Sequence, residues 1–164
     1  MKNSMVCLTW RMVRPTFLVD GQPVRAAGIL FYYLFRGRRY YLFRRERGRW
    51  SDIGGKTEQE DTSPLDTAIR ECVEETNGHM FSACHTNEQC LEHAKQLVAR
   101  QQPSWYYDTR AKYLVYIVCV PRTLGRNMKR FGKRETHTNQ THYYKWMSVP
   151  YNVHPRLRTI KKQL

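Results

Sequence analysis

The chain has 164 residues, the size of one ordinary domain, and 41% of them are hydrophobic, enough to bury a core without metal or disulfide support. Twenty-eight Lys and Arg against fourteen Asp and Glu leave a net charge of +14, so the surface potential favours anionic partners such as RNA, DNA, nucleotides or inositol phosphates. No apolar run approaches the roughly 20 residues of a membrane-spanning helix, and five cysteines at irregular spacing (Cys7, Cys72, Cys84, Cys90, Cys119) read as reduced thiols, not a disulfide framework.

The first residues, MKNSMVCLTWRMVRP, lack an apolar stretch of signal-peptide length followed by small residues, so an intracellular, cytoplasmic or nuclear location is expected, without membrane contact. RAAGILFYYLF (Arg25 to Phe35) and RYYLFRR (Arg39 to Arg45), joined through Arg36, Gly37 and Arg38, form a hairpin signature rich in β-branched and aromatic residues. A second turn, Glu46 to Arg49, leads through Trp50 to the pair Gly54-Gly55, which marks a tight turn or a close approach of backbone to something else.

Ser63 as N-cap, Pro64 at the first helical position and Asp66 three residues beyond the cap predict a helix start. Leu65, Ala68, Ile69, Cys72 and Val73 then recur at the spacing of one buried stripe, with Glu71, Glu74 and Glu75 within roughly 100° of arc on the other side. Asn77-Gly78 closes the helix with residues that tolerate a left-handed turn. Asn87 to Gln101 reads as a second helix, Ala111 to Val120 as a central strand, and HYYKWMSV as a further strand after a polar, basic loop. A short basic helix from Pro155 is expected at the C-terminus. The alternation predicts a single α/β domain over residues 1–164, an α/β/α sandwich around a mixed β-sheet.

Seven of the fourteen acids (Glu58, Glu60, Asp61, Asp66, Glu71, Glu74, Glu75) lie between positions 58 and 75. Carboxylates crowded together repel unless something positive sits among them, and a divalent cation is the obvious candidate. The composition alone favours a solvated helix face; the glycine pair, the cap and the Arg-Glu spacing reverse that preference.

Gly55, five residues, Asp61, eight residues, then Arg70-Glu71-Cys72-Val73-Glu74-Glu75 resembles the box of the Nudix hydrolases, written G-x5-E-x7-R-E-U-x-E-E-x-G-U with U a bulky apolar residue. There are three departures. Asp61 stands for the usual Glu with a spacer one residue longer, so Glu60 is the alternative partner for Arg70; Asn77 replaces the box glycine, with Gly78 one place later; and Asp52-Ile53 stands where many members carry a proline.

The resemblance implies a Nudix-type fold and metal-dependent hydrolysis of a diphosphate linkage. It implies Mg²⁺ or Mn²⁺ as cofactor, with Glu71, Glu74, Glu75 and the Gly55 carbonyl as ligands. Gly54, Gly55, Lys56, Arg44 and Trp50 would line the substrate, and Arg70 would be braced by Asp61. The general base would be a box glutamate or Glu135, which is the only acid after Asp108, with His137 an outsider. Substrates open to such an enzyme are nucleotide derivatives, among which the 5′ cap of RNA fits the charge best, and diphosphoinositol polyphosphates. A binding module for RNA on a Nudix scaffold is the reading from another class. Oligomeric state is left open.

The arginines Arg36, Arg38, Arg39, Arg44, Arg45, Arg47 and Arg49, with Lys129, Arg130, Lys133, Arg134 and the tail Arg156, Arg158, Lys161 and Lys162, suggest a polyanion groove; a charged edge that discourages strand pairing is the plainer alternative. Most of Trp50, Trp105, Tyr106, Tyr143, Tyr144 and Trp146 are expected in packing, with one or two stacking on bases. Cys84, His85, Cys90 and His93 match no standard zinc spacing.

Overall fold

A computed structural model describes residues 13–81, 86–124, 128, 131, 143–161 and 164. Two short strands, β1 (Phe17–Val19) and β2 (Gln22–Val24), form a separate hairpin through Asp20 and Gly21, both at positive φ. The main sheet has seven strands among the described residues: β3 (Ala26–Phe35), β4 (Arg38–Glu46), β5 (Arg49–Ser51), β6 (Ile53–Lys56), β7 (Ser104–Asp108), β8 (Tyr113–Cys119) and β9 (Tyr144–Met147). It is mixed, since β3 and β8 run parallel and the other pairs antiparallel.

The hairpin β3–β4 turns at Arg36-Gly37, φ 50° and 72°, the geometry that matches the twist of two antiparallel strands. The two strands pair only from Tyr32↔Tyr41 to Phe35↔Arg38. Beyond that they splay, and β5 takes the released edge of β4 while β6 takes that of β3, so the glycine pair lies in the notch between them. Gly28 lies opposite Gly54 there, and a Cβ on Gly54 would overlap the Gly28 Cα and the Ala27 carbonyl oxygen. Two backbones thus approach where a side chain would keep them apart.

Helices α1 (Pro64–Glu75) and α2 (Asn87–Arg100) cover one face. Ala68, Ile69, Cys72 and Val73 pack there with Ile29, Phe31, Leu42, Leu114 and Val118, joined by Cys90, Ala94 and Val98 of α2. On the other face Leu30, Tyr41, Phe43, Trp50, Tyr113 and Val115 are covered by Val153, Leu157 and Ile160 of the C-terminal segment. A fully buried Leu, Ile or Phe contributes roughly 1.5–3 kcal/mol, so both faces are needed to hold the splayed sheet. The layering is the α/β/α arrangement expected, with one difference: the last layer is a 3-10 turn, Pro155–Leu157, followed by isolated i→i+4 bonds, not a regular helix. No helix among the described residues is long and apolar enough to cross a membrane.

Candidate active site

The start of α1 is built as its residues dictate. Ser63 is the N-cap, its hydroxyl accepting from the Asp66 amide at 3.1 Å, and Pro64 follows in the first turn. At the other end Asn77 and Gly78 take positive φ, 50° and 74°, and the Gly78 amide donates to the Val73 carbonyl at 2.8 Å.

Arg70 is the hub of the site. Its Nε donates to Asp61 Oδ1 at 2.9 Å and its Nη2 to Asp61 Oδ2 at 3.2 Å and to the Lys56 carbonyl at 2.8 Å. Its Nη1 reaches Glu71 Oε1 at 3.2 Å and Glu74 Oε2 at 3.1 Å. One side chain therefore ties the end of β6, the connecting loop and two glutamates of α1 together. Asp61, not the exposed Glu60, is the partner, and its carboxylate also accepts from the Glu58 amide and the Thr67 hydroxyl, each at 2.8 Å. Burial pushes the Asp61 carboxyl up, but these donors outweigh it and hold it below the usual carboxylate range. Glu71 responds in the opposite sense. Burial raises its carboxyl to about 7 against the attraction of Arg70, with Glu74 adding repulsion.

Gly55 faces this cluster. A Cβ there would overlap the Glu71 carboxyl, so the absence of a side chain is what lets the glutamate lie against β6. Gly54 faces the other way, where a Cβ would also meet the Tyr113 hydroxyl. Lys56, next along, is exposed.

The three glutamates do not present one common face. Glu71 and Glu74 lie on Arg70, whereas Glu75 turns beneath the helix, 5% exposed, and pairs with Arg44 of β4. Tyr144 reinforces this end of α1 by donating its hydroxyl to the Glu75 carbonyl at 2.7 Å. Among the described residues no three His, Cys, Asp or Glu side chains converge as a ready metal cage; the guanidinium groups stand in the place of the positive charge. The donors still suit a hard cation: the carboxylate oxygens of Glu71 and Glu74 lie beside the glycine backbone of β6, and burial leaves the Glu71 carboxyl raised despite Arg70.

Arg44 and Trp50 sit deeper than an open substrate lining. The Arg44 side chain is 7% exposed and pairs with Glu46 at 3.1 Å as well as with Glu75. Trp50 belongs to the core on the face opposite α1, with Arg45 over its ring at 5.5 Å. Glu135, His137, Lys129, Arg130, Lys133, Arg134, Lys162, Cys84 and His85 lie outside the described residues. Of the remaining zinc candidates, Cys90 is buried in the core and His93 is exposed on α2.

A buried polar network escaped sequence reasoning. Asp52, fully buried, accepts from the Tyr113 hydroxyl at 2.7 Å, from Arg156 Nε at 2.9 Å and from the Ser51 hydroxyl at 3.1 Å. The signal was there: an Asp beside the glycines with no solvent-facing reason to be so placed.

Comparison with family models matches a NUDIX domain over residues 23–163. The chain belongs to the Nudix family. It is a Nudix hydrolase, an enzyme acting on diphosphate linkages, and such hydrolases generally use divalent metal ions such as Mg²⁺. Among solved structures it is similar to a C. elegans Ap4A hydrolase in a binary complex, with 18% identity, 76% of this chain and 79% of that chain covered, and a TM-score of 0.38. A second structure of C. elegans Ap4A hydrolase gives 18% identity, the same coverage and a TM-score of 0.37. No curated protein matches.

Proposed function

We propose that this Nudix hydrolase cleaves the diphosphate linkage of a nucleotide derivative, and that RNA bearing a 5′ cap is the form of that substrate its +14 charge fits best. The observation that supports the reading is the Arg70 hub, which holds Glu71 and Glu74 against Gly55 at the end of β6. Glu71, Glu74 and the Gly55 carbonyl would hold Mg²⁺ or Mn²⁺, which when bound neutralises charge developing on the phosphate oxygens, and Glu75, buried against Arg44, would join them only by leaving that pair.

The chain's own residues do the rest. Arg70, itself fixed by Asp61 and the Lys56 carbonyl, keeps two glutamates in place before substrate arrives. Gly55, without a side chain, lets the Glu71 carboxylate lie against β6. Lys56, exposed on the same strand end, meets the phosphates as a mobile cation. The general base is drawn from a box glutamate or from Glu135.

The test is product release from nucleoside triphosphates, nucleotide sugars, dinucleoside polyphosphates, diphosphoinositol phosphates and cap-labelled RNA, each with Mg²⁺ or Mn²⁺. Turnover of capped RNA above the others is the expected result. Turnover confined to diphosphoinositol phosphates would sink the nucleotide reading, and a Glu135→Gln variant in the same assay assigns the base.

A further inference from the structure

The arginines of the β3–β4 hairpin are largely engaged in packing. Arg36 lies over Phe35 at 5.2 Å, Arg39 over Tyr32 at 5.0 Å and Arg45 over Trp50 at 5.5 Å, while Arg44 is buried with Glu75. A second basic region lies at the other end of the sheet, where β3 and β8 begin and β6 ends. The Arg25 amide donates to the Lys112 carbonyl at 2.9 Å and the Arg25 carbonyl accepts from the Thr57 amide at 3.1 Å, so the three strand ends are laced together.

Two cavities adjoin there. One of about 520 Å³ is lined by Arg14, Arg25 and Lys56, and the next, of about 650 Å³, by Arg110, Arg158 and His154, with Ala111 shared between them. None of Arg14, Arg25, Lys56, Arg110 and Arg158 pairs with a carboxylate among the described residues, whereas Arg70 reaches four. Asp108, the acid among the described lining residues, is buried and accepts from the Ala111 amide at 2.8 Å. Arg14 also borders a pocket with Glu58 and Glu60, but Arg25, Lys56, Arg110 and Arg158 gather on a concave surface whose positive potential attracts an anion.

The shape selects the anion. Adjoining cavities make a run, which suits a linear polyanion, where a compact one would call for cations converging on a single bowl. No Phe, Tyr or Trp is among the described lining residues, and His154 is the one aromatic ring among them, so the surface offers chiefly charge to phosphates and little stacking to bases. The run starts at Lys56, whose carbonyl is held by Arg70.

We infer that these cavities form a phosphate track for the sugar-phosphate backbone of a single-stranded oligonucleotide leading away from the diphosphate at the box. The inference rests on the nucleotide reading above and extends it. The track reads backbone and is indifferent to sequence.

The test is binding of a fluorescent oligouridylate of about 12 nucleotides with a 5′-hydroxyl, a length typical of single-strand sites, titrated with salt. Five phosphate contacts give a slope of log K against log salt of about −3.5, and Arg110→Gln/Arg158→Gln is expected to make it shallower by about 1.4 and to weaken binding at least roughly tenfold at low salt. A mixed-sequence oligonucleotide of the same length is expected to bind alike, and turnover of a mononucleotide substrate to stay at the wild-type level. Wild-type affinity and slope in the double variant would overturn the inference, as would loss of binding in Arg38→Gln/Arg47→Gln instead, or inositol hexakisphosphate binding tighter than the oligonucleotide. The probe carries no diphosphate, so failure of turnover on every capped substrate leaves this readout intact, and failure here leaves the turnover reading standing.

Discussion

The Arg44 guanidinium on β4 meets the Glu75 carboxylate in the last turn of α1, with the two side chains 7% and 6% exposed. This pair joins the helix that carries the box to the sheet beneath it. Removing one member of a buried pair leaves the other charge without its offset, at a cost of about 3 kcal/mol or more. Arg44→Gln is therefore expected to lower the urea midpoint by that equivalent, and an unchanged midpoint would show that the pair does not fasten the helix.

Asp61 makes stability depend on pH in a defined direction. Its folded carboxyl lies below the ordinary value, so its contribution is fully present above the unfolded pKa of about 3.9 and is lost as pH falls through the lower folded value. Asp61→Asn is expected to be less stable than wild type at pH 7 by on the order of 2 kcal/mol, the worth of a charged hydrogen-bond set. The gap should close below about pH 4. Unfolding midpoints at pH 7, 5, 4 and 3 read this directly; a gap independent of pH would show that the charge on Asp61 is not what matters.

The two adjacent glycines should separate stability from catalysis. In Gly54→Ala the new Cβ meets backbone of β3, which cannot give way cheaply, and a loss of about 1–3 kcal/mol is expected. In Gly55→Ala it meets only the end of the Glu71 side chain, which can move, so the fold survives while a displaced glutamate costs on the order of 100-fold in kcat. Paired thermal melts and turnover assays would refute this if both variants lost the same property.

Tyr113→Phe removes one donor from the buried Asp52 carboxylate and is expected to cost about 1–3 kcal/mol with kcat unchanged. A fall in kcat at unaltered stability would instead make Tyr113 part of the catalytic apparatus.

Much of this was legible because the controlling forces are local. Ser63-Pro64 starts α1, the apolar stripe Ala68, Ile69, Cys72 and Val73 is buried, and Asn77-Gly78 ends the helix in left-handed geometry. The orientation of Glu75 was not read, although the sequence carried it. Glu75 follows Ala68 by one heptad, which on a helix leaves them only about 20° apart, so Glu75 borders the buried stripe while Glu74 does not. Arg44 is two residues beyond Leu42 and so shares its face of β4, towards α1. The β1–β2 hairpin was missed despite Asp20-Gly21, a strong two-residue turn. The strand β7 was missed because its five residues hold together through pairing with β8, a tertiary contact that no local pattern announces.

The most direct test of the central claim is turnover by Glu74→Gln against wild type with Mg²⁺ or Mn²⁺, on whichever diphosphate substrate wild type hydrolyses best. Glu74 is the most exposed of the three box glutamates, so its loss should leave the fold intact. A fall of at least about 100-fold in kcat with an unchanged melting temperature is expected, the scale of removing one essential charged group from an active site. Turnover retained at the wild-type level would contradict the assignment of the catalytic centre to this face of α1.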